Sequence, residues 1–302
     1  MVNYEKTRVS WMLIIVGILV TMGMVFGGYV IAGGAMEPIL HALPLEGMMI
    51  GGAGIGSFLV GNGGSVLKKA GKGLGHAFKG AKWKADDYKD LICLLFMISK
   101  LIKTKGVIAL EAHIENPEES KIFNHVGRVK DDHHIVDFIC DYFRMTTMNF
   151  DDPHQMEDVM LKDLEKHHHE ESEGAHALAI LGEAFPALGI VAAVLGIVKT
   201  MGSIDQPVEI LGAMIGGALV GTFLGILISY TIASPLAGRL QQIIDEEGHV
   251  YDVLKDFIIA HLHGSAPQIA AEIARKSVPG EFQPSFYDLD ELLQEIPNDV
   301  FS

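Results

Sequence analysis

Three consecutive histidines, His167-His168-His169, followed by Glu170-Glu171, are the densest set of metal-capable side chains in the sequence. Adjacent residues on a helix diverge by roughly 100°, so a contiguous triplet does not converge on one ion. No metal site is assigned there, and the segment reads as a solvated linker. His133-His134 beside Asp131 and Asp132 reads the same way. Cys93 and Cys140 lie in apolar stretches. Two such cysteines give neither a disulfide framework nor a tetrahedral metal site, and both read as buried free thiols. What remains chemically suggestive lies inside long apolar runs: the hydroxyls of Thr21, Ser57, Thr222, Ser229, Tyr230 and Thr231, and the prolines Pro186 and Pro235. Intramembrane hydroxyls could line an ion path, although hydrogen bonding between helices is their commoner use. A proline inside a span removes one backbone hydrogen bond and can kink the helix.

The runs that carry these residues are membrane spans. Between Glu209 and Arg239 lie 29 residues without a formal charge, and about 20 apolar residues cross the hydrocarbon core. Four such segments are expected: residues 11–31, 45–67, 175–198 and 210–236. The second is Gly-rich, with Glu46 capping its start. Glu183 sits one to two turns inside the third. The first run is too long for the core of a secretory signal, roughly 7–15 residues, and reads as a retained span. Of the 302 residues 49% are hydrophobic and 20% charged, and the mean hydropathy is +0.30. A membrane part and a water-exposed part therefore share one chain. The net charge of −15 leaves no basic excess for nucleic acid, and the sequence contains no Walker-type loop.

Lys and Arg placement sets the orientation. None occurs between Arg8 and Lys68, whereas Lys68, Lys69, Lys72, Lys79, Lys82, Lys84 and Lys89 follow the first pair of spans. The positive-inside tendency puts residues 1–10, the block 68–174 and the tail 237–302 in the cytoplasm, with both hairpin loops outside. The lysine run, interleaved with Phe78 and Trp83, is expected along anionic headgroups of membrane lipids. The block reads as helical: Leu91, Ile92, Leu94, Leu95, Ile98 and Leu101 recur at helical spacing, Asn116-Pro117 marks a turn, and residues 135–148 form another amphipathic run. The fourth span is expected to continue into the cytoplasm without a break. Ser285 and Asp288 occupy capping-box positions before a short terminal helix. The fold class is thus all-α, a polytopic membrane protein with two helical hairpins and a helical cytoplasmic domain.

Ion pathways through hydrocarbon usually hold an ionisable group near mid-bilayer, at a cost of roughly 2.5–3.5 kcal/mol. With these boundaries, the central turns of all four spans hold no Asp, Glu, Lys, Arg or His. If the chain moves an ion, either a partner chain supplies the carboxylate or the premise of such a group is wrong. Dense small residues, among them Gly23, Gly27, Gly216, Gly217, Gly221 and Gly225, permit close helix approach.

Several ordered runs carry a family resemblance. They include Val25-Phe26-Gly27-Gly28-Tyr29, Gly51-Gly52-Ala53-Gly54-Ile55-Gly56-Ser57-Phe58, Ile114-Glu115-Asn116-Pro117-Glu118, Pro186-Ala187-Leu188-Gly189-Ile190, Val220-Gly221-Thr222-Phe223-Leu224-Gly225 and Ala266-Pro267-Gln268. Over essentially its whole length the chain resembles the MotA family of flagellar motor stator subunits, within the MotA/TolQ/ExbB superfamily. The resemblance implies a homopentamer around the single spans of a MotB-like dimer, whose aspartate carries the ion, and torque on the rotor protein FliG. It places ion-pathway roles on Thr222, Ala193 and Glu183, and coupling roles on Pro186 and Pro235. Rotor contact falls on Lys103, where better-known relatives carry Arg, and on Glu111, with Lys100, Lys105 and Glu115 nearby. Ala193 stands where sodium-driven relatives tend to carry Thr, which favours H⁺ over Na⁺. No cofactor and no covalent chemistry are implied, so the chain is not read as an enzyme. The rival readings are a TolQ/ExbB-type ring subunit, which usually has three spans, and a non-conducting membrane scaffold.

Overall fold

A computed structural model describes residues 2–297 and residue 300, with side chains from Trp11 onward. The expected cytoplasmic N-terminus, residues 1–10, lies outside the described side chains. Every regular element among the described residues is helical, as the sequence implied. Four helices are long and apolar enough to cross a membrane. The chain divides into two units, one of residues up to Ala81 plus His169–Ile244, the other of Lys82–His168 plus Asp245–Ser302.

The first unit holds α1 (Val2–Ile31), α2 (Glu37–Gly61), α3 (Gly64–Lys79), the later turns of α8 (Pro153–Met201), α9 (Val208–Ile228) and the first turns of α10 (Ser234–Leu262). A single π turn, Ser229–Ala233, joins α9 to α10. Apolar side chains of α1 such as Leu13, Leu19 and Met24 are exposed, the pattern of a lipid-facing helix. The second apolar helix differs from the expected 45–67. It begins at Glu37, with a proline tolerated in its first turn, carries Pro44 inside, and stops at Gly61, where Asn62 turns extended. Residues 64–79 then form a separate amphipathic helix. Its small residues Ala70 and Ala77 pack against Ala175, Leu178, Ala237 and Leu240, while Lys69 reaches Glu173 at 3.0 Å. Part of the lysine run is thus committed inside the protein.

The second unit starts at Lys82 rather than at residue 68, and takes in the C-terminal segment from Asp245 onward. Its centre is α4 (Ala85–Lys105), where Leu91, Ile92, Leu94, Leu95, Phe96, Met97, Ile98 and Leu101 are all buried. Around it lie α5 (Ile108–Glu115), α6 (Lys121–Asn124), a 3₁₀ turn (Arg128–Asp131), α7 (His133–Thr147), α11 (Pro267–Ser277) and α12 (Phe286–Gln294). Ser120 and Asp132 accept hydrogen bonds from the backbone N–H groups three residues on, and the Ser285/Asp288 capping box forms as the spacing implied. Cys93 is partly buried, Cys140 is buried, and both are free. Burial pushes their thiols up to about 11 and about 12.

One buried polar pair inside this unit makes its stability pH-dependent. Ser99 Oγ and His261 Nδ1 lie 2.9 Å apart. Burial, with the charge of Lys103 adding, pushes His261 down to about 4. The unfolded chain binds this proton near pH 6.5, while the folded chain does so only near pH 4. The unfolded state therefore holds more protons in between. Stability should fall as pH drops through that window, by up to about 3 kcal/mol. Thermal unfolding of the detergent-solubilised protein between pH 7 and 4 should show this slope, and His261→Gln should flatten it.

Candidate ion pathway

Of the residues singled out in the spans, Ala193 and Thr222 sit along a seam of small residues between α8 and α9. A Cβ placed on Gly189 of α8 would lie 2.6 Å from the carbonyl oxygen of Gly221, and one on Gly196 would lie 2.7 Å from the Cβ of Ala218. One on Gly221 would lie 3.1 Å from the backbone nitrogen of Ala193. With almost nothing between them, the two backbones touch. The structure therefore brings Ala193, buried, to the level of Gly221 and its chain neighbour Thr222, half-buried. The ring of Phe223 meets Phe26 of α1 edge-on at 5.8 Å. Thr21, Ser57 and Thr200 bond carbonyls three or four residues earlier in their own helices, which gives Thr21 and Ser57 a local use. Glu183 is exposed and ten residues before Ala193 on the same helix, about 15 Å along its axis. It does not join Thr222 and Ala193.

The two prolines are linked through other residues. A proline at position i denies a hydrogen bond to the carbonyl at i−4 and crowds it. For Pro235 that carbonyl belongs to Thr231, inside the π turn Ser229–Ala233, so the expected unbroken continuation of the fourth span contains one widened turn. For Pro186 it belongs to Gly182, while α8 runs on through the proline. A Cβ on Gly182 would meet Ser234 Oγ at 2.8 Å and Ser234 N at 3.1 Å. The carbonyl released by one proline thus belongs to a residue packed against the neighbour of the other. Sequence reading paired the prolines but missed Gly182 and Ser234.

Glu46 does not lie at the start of its helix. Placed at the mouth of a span covering 45–67, it left the central turns without a carboxylate. In α2 it is the tenth of 25 residues, well inside the apolar helix. It is 6% exposed, and its Oε2 has no hydrogen-bond partner among the described residues. That oxygen lies 2.5 Å from where a Cβ on Gly221 would stand. The signal that could have found it is Glu37-Pro38, an acid followed by proline, which opens a helix.

In the second unit, Lys103 Nζ donates to the carbonyls of Gly264 and Ser265 at 3.2 and 2.6 Å, so part of its charge is spent just beyond the end of α10. Glu111 lies exposed on α5, and Lys105 is exposed at the end of α4. Lys100 approaches the Phe96 ring face at 5.8 Å. Glu115 binds Arg144 at 2.8 Å. Among the described residues no His/Cys/Asp/Glu group could hold a metal ion.

Two family models match the chain, the N-terminal part of motility protein A over residues 15–106 and the MotA/TolQ/ExbB proton channel family over residues 131–252. The chain is 41% identical to motility protein A of Escherichia coli over 95% of its own length and 97% of that protein's. It is 32% identical to chemotaxis protein LafT of Vibrio parahaemolyticus over 92% and 97%. Among solved structures, MotAB of C. jejuni superposes with a TM-score of 0.69 at 20% identity, covering 89% of this chain and 96% of that one. The MotAB stator complex of Bacillus subtilis superposes at 0.64 and 22%, covering 93% and 98%. This chain belongs to the motility protein A family of the MotA/TolQ/ExbB proton channel group.

Proposed function

We propose that this chain is a stator subunit of the bacterial flagellar motor. With a MotB-like single-span partner dimer it forms a proton-conducting channel in the inner membrane and converts ion flow into torque on the rotor protein FliG. The observation that carries this reading is the 41% identity to motility protein A over 95% of the chain. Five copies surround the partner dimer, with termini and second unit in the cytoplasm and the hairpin loops outside. The basis for that orientation is the lysine run after the first hairpin, against no Lys or Arg between Arg8 and Lys68.

The path runs beside Thr222 and Ala193, with Glu183 toward its inner mouth. A methyl group at 193 offers no oxygen ligand, which suits H⁺ over Na⁺ since hard cations need several oxygens. One charge crossing 100 mV releases about 2.3 kcal/mol, so each proton drives only a small step. Pro186 and Pro235 couple that step to Lys103 and Glu111, with Lys100 and Lys105 beside them, at the rotor. Co-expression with a single-span partner and measurement of proton flux in vesicles tests the channel. Flux is expected with both chains present, and none with any partner would reject it. In cells, an uncoupler at fixed sodium should stop swimming. Swimming that tracks external sodium instead would overturn the choice of ion.

A further inference from the structure

We propose that Glu46 is a proton-binding group built into this chain's own membrane wall, exchanging a proton at the contact of α2 with α9, next to Ala193 and Thr222. The inference rests on the channel reading above and adds an acid to whatever a partner brings.

Three observations converge on it. The carboxyl is buried by this chain alone, and its Oε2 lacks any hydrogen-bond partner among the described residues. Leaving a carboxyl oxygen unbonded away from water is unfavourable in either protonation state, so a glutamate that served packing alone would be outdone by Met or Leu. Second, a place is made for it. Oε2 lies 2.5 Å from the position a Cβ of Gly221 would fill, so any other residue at 221 would displace it. Third, it is isolated from other charge. Along α2 the other ionisable groups are Glu37 and His41, on the exposed first turns. On α8 the nearest to Ala193 are Glu183 and Lys199, ten residues before and six after. On α9 they are Glu209 and, past its end, Tyr230, twelve before and nine after Gly221. Among the described residues no cation stands against this carboxyl, so a proton is the counter-charge it takes. The exchange is simple: the O–H bond at Glu46 breaks as the proton passes to water or to a partner's carboxylate, and it re-forms from the next hydronium. No electrons change hands.

The test uses the complex of this chain with its single-span partner, reconstituted in vesicles under a proton gradient. Glu46→Gln keeps the shape but cannot exchange a proton. It should lower flux by about tenfold or more while co-purification with the partner is unchanged. Glu46→Asp, which keeps the acid, should restore most of the flux. Infrared difference spectra of the wild type should show a carboxyl band that changes between resting and conducting conditions. That band should shift in Glu46→Asp and vanish in Glu46→Gln. Wild-type flux through an intact Glu46→Gln complex overturns the proposal and leaves the channel reading standing, whereas a wild-type complex that does not conduct removes both. If Glu46→Gln fails to co-purify, the Glu46→Asp spectrum decides: a shifted band supports proton exchange at 46, and an unshifted one overturns it.

Discussion

Gly225→Val should abolish motility and sharply reduce the yield of folded protein. A Cβ at 225 would stand 2.5 Å from the carbonyl oxygen of Phe185 and 2.9 and 3.1 Å from Cα and N of Gly189. All three are backbone atoms of α8, so no rotamer change relieves the clash. The helices must part, and parting them opens the seam that holds Ala193 against Gly221. Overpacking alone costs about 1–3 kcal/mol, and valine adds two γ-methyls that also need space. In the isolated chain Gly216 is the control, since nothing lies within 4 Å of a Cβ there and Gly216→Ala should leave the melting temperature no lower than in the wild type. Membrane yield, thermal unfolding in detergent and soft-agar swimming read the outcome. Normal yield and swimming for Gly225→Val would mean that α8 and α9 do not meet here.

How much of this was legible depended on whether a feature is local. The all-α class, the four apolar helices and the buried face of α4 follow from periodicity, which each segment carries by itself. The Ser285/Asp288 box was legible for the same reason, since three residues of spacing settle it. Glu46 was misplaced because Pro44 and a Gly-rich stretch looked like a loop and a late start. Yet proline is tolerated inside apolar helices whose neighbours satisfy the freed carbonyl, and α2 runs through it. That shift of eight residues moved a carboxylate from the span's mouth to its interior and changed what the membrane part contains. The Gly182–Ser234 contact and the bonds of Lys103 join residues 52 and 161–162 positions apart. No local pattern announces them; only the packed helices do. The resemblance named Thr222, Ala193 and the prolines, but not that the residue whose carbonyl one proline releases packs against the neighbour of the other.

The same long-range geometry reshapes what charge reversal at the proposed rotor contacts should do. The helix α10 ends in a Schellman arrangement: Ser265 N–H bonds the Ala260 carbonyl, Gly264 N–H bonds that of His261, and Gly264 takes a positive φ of 82°. The next two carbonyls, of Gly264 and Ser265, accept from Lys103 Nζ. Lys103→Glu replaces two charge-assisted bonds with a carboxylate facing two carbonyl oxygens. It should lower the stability of the second unit by about 1 kcal/mol, since both bonds are exposed, besides inverting the surface charge. Its expected loss of swimming is therefore ambiguous by itself. Glu111→Lys is the cleaner probe, because Glu111 is exposed on α5 and its reversal costs no such bonds. It should leave thermal unfolding, membrane yield and partner co-purification as in the wild type while cutting swimming severely. Lys103→Arg should keep both bonds and most of the swimming. Lys103→Gln should give most of the stability loss without the reversal. If Lys103→Gln swims as poorly as Lys103→Glu, the residue acts through the end of α10 and not through the rotor. If Glu111→Lys swims normally, the electrostatic contact lies elsewhere on this unit.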